Sequence, residues 1–96
     1  MVEELNKDLP RQLDEITRMD QISKSSFTYV YHNTTTEPVR DPLELQERLT
    51  RNVTGSVCGM EVMRAGFNDG LSYRYIYSDI DENVLAEVFV TKTSCD

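Results

Sequence analysis

A chain of 96 residues with 39% hydrophobic and 28% charged residues has the size and balance of one globular domain, single over 1–96, with a modest core. Its net charge of -7 disfavours nucleic acid and anionic membrane surfaces as direct partners, because each phosphate contact wants Lys or Arg. No stretch approaches the ~20 apolar residues of a membrane span, and no signal peptide is visible at the start.

Val2, Leu5 and Leu9 recur at helical spacing among charges, which predicts a short helix over 2–9 that Pro10 ends. Leu13, Ile16, Met19 and Ile22 recur every three residues and favour a helix over 11–19. Ile16-Thr17 and the serines of 23–26 suit instead a strand entering a turn. Phe27-Thr28-Tyr29-Val30-Tyr31 alternates as a strand, with a link before it short enough for a hairpin. Residues 32–38 read as a polar loop. Asp41-Pro42-Leu43-Glu44 is a helix start, with Asp as N-cap and Pro at the first helical position. Leu45, Leu49 and Val53, flanked by Leu43, give that helix one apolar stripe down to Gly55, a natural stop. A second helix is predicted over 57–65, carrying Cys58, Val62 and Met63.

The turn Asn68-Asp69-Gly70 opens the most regular part of the chain. Leu71, Tyr73, Tyr75 and Tyr77 fall on one face of a strand, with Arg74 on the other. Asp79 to Asn83 supply turn chemistry, with Asn83 tolerant of positive φ. Val84 to Thr91 is the most β-prone run, with Val84, Ala86, Val88 and Val90 on one face and Leu85 and Phe89 on the other. The two strands predict an antiparallel hairpin at the centre of the sheet, its second strand covered in part on both sides.

Candidate chemistry is sparse. A thiol–imidazole pair of Cys58 and His32 is conceivable, but no third orienting residue stands out. The two cysteines and one His lack metal-site spacing. Asp79, Asp81 and Glu82 lack the Gly and terminal Glu of a calcium loop. Asn33-Thr34-Thr35 and Asn52-Val53-Thr54 match the glycosylation triplet, which is common by chance. Tyr73, Tyr75 and Tyr77 could stack on bases only beside a basic groove, which the charge balance argues against. No catalytic, metal or cofactor residue emerges, and the expectation is a protein that is not an enzyme and carries no cofactor.

The pattern as a whole resembles a known family. Gly70-Leu71-Ser72-Tyr73, a Tyr-rich strand, an acidic turn, a strand ending Val90-Thr91-Lys92-Thr93 and a final Cys95 resemble periplasmic domains of the AspS type. These are pilotins of the type II secretion system. The same features resemble a set of quorum-sensing-regulated virulence factors of unestablished activity. Leu9-Pro10, Asp14, Thr17-Arg18, Tyr29-Val30-Tyr31 and Cys58 extend the likeness to the first half. The resemblance implies an α+β domain, an antiparallel sheet of about four strands with helices packed on one face. It makes 12–22 a strand leading into 27–32, against the three-residue periodicity, and it implies one disulfide between Cys58 and Cys95. Two buried free thiols are the alternative.

The function implied is a pilotin-like, periplasmic protein-binding module. Its partner would be a C-terminal segment of a secretin, captured for outer-membrane targeting; the segment that binds it here is unknown. Pilotins of this type are normally anchored through an acylated N-terminal Cys. No Cys precedes Cys58, so the anchor lies outside this segment or the chain is an unanchored or secreted relative. A different class, an acidic inhibitor mimicking nucleic acid, calls for carboxylates gathered on one face. Here they scatter through every element.

Overall fold

The computed structural model describes residues 6–13, 16–36 and 39–95. Along the chain they form β1 (Arg11–Gln12), β2 (Thr17–Ser25), β3 (Thr28–Thr35), α1 (Pro42–Gly59), α2 (Glu61–Asn68), β4 (Ser72–Ser78) and β5 (Val84–Val90). A final 3-10 turn, Lys92–Cys95, follows. The five strands make one sheet in the order β1-β2-β3-β4-β5. All neighbours are antiparallel except β3 and β4, which run parallel from Thr28 opposite Ser72 to Thr34 opposite Ser78. A parallel pair needs a crossover, and α1 and α2 supply it. The fold is thus α+β with helices on one face, as expected; the sheet has five strands where about four were expected and is antiparallel but for the β3–β4 pair.

Side-chain alternation sorts the sheet into two faces. Tyr73, Tyr77, Ala86, Val88 and Val90 bury with Leu45, Val53, Val57, Met63 and Phe67 of the helices, so the core lies on the helical side. The tyrosines pack ring to ring across β3 and β4: Tyr31 and Tyr75 stack at 4.5 Å between centroids, and Phe67 of α2 meets Tyr73 edge-on at 5.5 Å. The face away from the helices mixes polar groups with Val30, Ile76, Leu85 and Phe89. Ser23 and His32 share a hydrogen bond of 3.1 Å, Thr28 and Ser72 one of 2.9 Å, and Arg74 pairs with Glu87 at 3.1 Å.

Local chemistry explains the elements that match expectation. The Asp41 carboxylate accepts from the N–H groups of Leu43 (3.1 Å) and Glu44 (3.2 Å), with Pro42 opening the helix. In the β4–β5 turn, Asp79 accepts from the backbone N–H groups of Asn83 and Asp81, each at 2.9 Å. These bonds, from Asn83 first, hold its carboxyl below the usual range. Gly70 takes φ +82, a conformation the preceding Asn-Asp pair hands to a residue without Cβ.

Several expectations are corrected. The β4–β5 hairpin lies at one side of the sheet; β3 is the central strand and β5 an edge. β5 is buried on the helical face through Ala86, Val88 and Val90; on the other face Leu85 is half-buried while Glu87 and Phe89 are exposed. Residues 17–22 are strand, so the three-residue repeat of 11–19 yields to pairing with β3. The expected helix of 2–9 falls on 2–5 outside the described residues, while 6–9 close a turn through a bond from the Leu9 N–H to the Asn6 carbonyl. The loop expected at 32–38 is β3 as far as Thr35, and Asn33, Thr34 and Thr35 are buried. Gly55 does not stop α1. An isolated glycine costs a helix only about 1 kcal/mol, and the break falls at Met60, whose φ of -101 and ψ of 116 are extended. Cys58 therefore belongs to α1, and the second helix starts at Glu61. Leu43 and Val62, placed on apolar faces by the sequence, are 78% and 81% exposed. Positive φ in the β4–β5 turn falls on Glu82 (68°) and not on Asn83.

Candidate functional site

The concavity best suited to a partner lies between the first half of α1 and the ends of β2, β3 and β4. The stripe of Leu45, Leu49 and Val53 faces inward. A cleft of about 440 Å³ opens there, lined by Ile16 and Thr17 before and in β2, Thr35 of β3, Tyr77 of β4, and Leu45, Arg48, Leu49 and Asn52 of α1. A second hollow of about 220 Å³ continues it, sharing Ile16, Leu45 and Arg48 and reaching Val39 and Arg40. The floor is apolar, the rim polar. Arg40 and Arg48 on that rim make no ion pair among the described residues.

Backbone hydrogen bonds join the strand ends around this cleft. The Thr36 N–H donates to the Ile16 carbonyl at 2.7 Å and the Leu13 N–H to the Thr17 carbonyl at 2.8 Å, which fixes the entry into β2. Thr35 Oγ1 donates to the Ser78 carbonyl at 3.4 Å. Beside Thr35 and opposite Tyr77, the Asn33 carboxamide is 2% exposed, and neither its nitrogen nor its oxygen has a partner among the described residues. A buried carboxamide without hydrogen bonds costs about 1–3 kcal/mol. Such a surface can bind an amphipathic segment; it offers no nucleophile–base pair.

The residues singled out in the sequence are placed as follows. Cys58 and Cys95 are bridged, with Cα atoms 5.5 Å apart, tying α1 to the turn after β5. His32 bonds Ser23 on the face away from the helices and so does not meet Cys58. Among the described residues no group of three or more His, Cys, Asp or Glu can hold a metal ion. Asp79 spends its carboxylate on its own turn. Asn33 is buried, which removes its triplet from any modifying enzyme, whereas Asn52 is exposed on α1. Tyr73, Tyr75 and Tyr77 are core and half-core residues. Burial, with neighbouring tyrosines adding to it, pushes Tyr31 up to about 12 and raises Tyr73 and Tyr75. The sequence reading missed Ile16, Thr35 and Tyr77 as walls of one cleft. The three consecutive β-branched threonines at 34–36 were the available signal that β3 continues through its polar stretch.

No protein-family model matches the sequence, and no curated protein matches it at a significant level. Solved structures do match in fold. A presumed secreted protein from Pseudomonas aeruginosa superposes with a TM-score of 0.87 at 14% identity, over 99% of this chain and 86% of the other. EpsS, the pilotin of the Vibrio vulnificus type 2 secretion system, gives 0.79 at 18% identity, over 99% and 84%. AspS, a type II secretion pilotin from Vibrio cholerae, gives 0.73 at 19% identity, over 98% and 84%. The chain shares their fold over nearly its whole length.

Proposed function

We propose that this chain is a pilotin-like adaptor that binds a segment of a secretin and escorts it to the outer membrane in type II secretion. The observation that carries this reading is the shared fold with two type II pilotins, at TM-scores of 0.79 and 0.73 over nearly the whole chain. The cleft beside α1 is the surface on which such a partner fits. An amphipathic peptide lays its apolar side chains on Ile16, Leu45, Leu49 and Tyr77 and its polar groups toward Arg48 and Asn52. The work is binding, without catalysis. A disulfide in so small a domain suits an oxidising compartment and supports a periplasmic or secreted home.

The test is direct. Isotope-labelled protein is titrated with peptides covering the C-terminal region of the secretins of the same genome. Saturable binding with shifts clustered at Ile16, Thr35, Leu49 and Tyr77 is expected. Silence toward every secretin segment overturns the adaptor reading. A second reading, an unanchored secreted protein, draws on the 0.87 superposition with the Pseudomonas aeruginosa protein. Fractionation of the native host distinguishes the two, since an adaptor stays with the cell envelope.

A further inference from the structure

β5 is an edge strand, and Glu87 turns its backbone N–H and C=O away from β4. Neither group is left free. Oε1 of Gln46, on α1, accepts from the Glu87 N–H at 2.9 Å, and Nε2 of the same side chain donates to the Glu87 carbonyl at 2.7 Å. The carboxamide thus sits where a peptide group of a sixth strand would sit. Thr50, one helical turn on, accepts a further bond from Nε2 at 3.0 Å and holds that orientation. The opposite side of the sheet repeats the arrangement. β1 pairs with β2 for two residues only, and beyond it Asn6 takes both backbone groups of Ile22, accepting at 2.8 Å and donating at 2.7 Å. A bidentate amide on each side of one sheet is a device for closing edges.

We propose that Gln46 sets the assembly state of this chain by closing the β5 edge, and that the occupant it excludes is β5 of a second copy. The strand invites self-pairing. Val84 to Val90 holds no proline and no lysine, and Val84 and Phe89 are 62% and 45% exposed. Its one charge, Glu87, already carries a counter-charge in Arg74 at 3.1 Å. Two copies meeting antiparallel about a two-fold axis at Glu87 therefore bring two neutral pairs together, with Phe89 of each near Leu85 of the other. The bulge where Tyr77 and Ser78 meet Ala86 and Val84 disturbs one end of the edge and leaves 86–90 regular. Gln46 occupies the outward backbone groups of Glu87 within that regular part. The inference is independent of the secretin reading.

Gln46→Ala and Gln46→Met, the second keeping the side chain's length, are compared with the unchanged protein by light scattering over a concentration series. Amide hydrogen exchange is read on the same samples. The unchanged protein is expected at monomer mass throughout. Both variants are expected to rise toward twice that mass, with the Glu87 and Phe89 amides newly protected in the heavier species. Monomer mass at every concentration for a folded Gln46→Met overturns the proposal. So does association that leaves the β5 amides exchanging as in the monomer, and so does an unchanged protein already paired through β5.

Discussion

Gly66 faces the Tyr73 hydroxyl so closely that a Cβ there would collide with it, and Leu71 closes the other side at 3.1 Å. That hydroxyl donates to the Met63 carbonyl at 2.8 Å, one turn back on α2, so the glycine is the notch through which β4 anchors the helix. Gly66→Ala is expected to destabilise the protein by about 2–4 kcal/mol, overpacking plus the strained hydrogen bond. Urea unfolding measures it. In a Tyr73→Phe background the colliding oxygen is gone, and the cost of Gly66→Ala should shrink by at least ~1 kcal/mol. Equal costs in both backgrounds would place the strain elsewhere. A second expectation concerns Tyr31, raised from 10.0 to about 12 chiefly by burial. The folded protein holds that phenolic proton more tightly than the unfolded chain does. The associated stability is complete below about pH 10 and is lost as pH rises toward about 12. Tyr31→Phe should flatten the fall in melting temperature across that window; an unchanged slope contradicts the assignment.

The elements show what local sequence can and cannot say. Asp41-Pro42 announces α1 because a cap acts within one turn, and the β4–β5 hairpin is legible because alternation and turn residues lie within one short stretch. β2 was misleading on its own. Its three-residue apolar repeat is helical in period, and pairing with β3 overrides it, a decision made by residues outside the window. The buried Asn33-Thr34-Thr35 reads as loop for the same reason, since polarity signals exposure unless the surroundings enclose it. The cleft was the least legible feature, being built from α1 and three separate strands. The disulfide spans the gap between these levels: two cysteines 37 residues apart in sequence join the end of α1 to the turn after β5. Replacing both by Ser should cost about 4 kcal/mol through the entropy returned to the unfolded chain. Denaturant midpoints of the paired variant, compared with the oxidised protein, give the value. A loss under about 1 kcal/mol would mean that packing alone holds the C-terminal turn.

Across the whole molecule the core is lopsided. Its buried cluster joins α1 and α2 to β4 and β5, whereas β2 adds one buried side chain, Ile22, that stands outside the cluster. β1 holds β2 through two residue pairs, and Asn6 supplies the edge bonds beyond them. Stability should therefore be graded. Amides of β4, β5 and α1 are expected to exchange only through global unfolding, and those of β1 and β2 through a smaller opening of that side of the sheet. The disulfide lies wholly on the strong side, so its removal discriminates between two classes and one. Reduction lowers the free energy of the global class and leaves the β1–β2 class unchanged, narrowing the distance between them. Native-state exchange on oxidised and reduced protein reads both classes at once. If the β2 amides lose as much protection as those of β5, the sheet opens as a single unit, and the flank of the cleft formed by Ile16 and Thr17 is as rigid as the core.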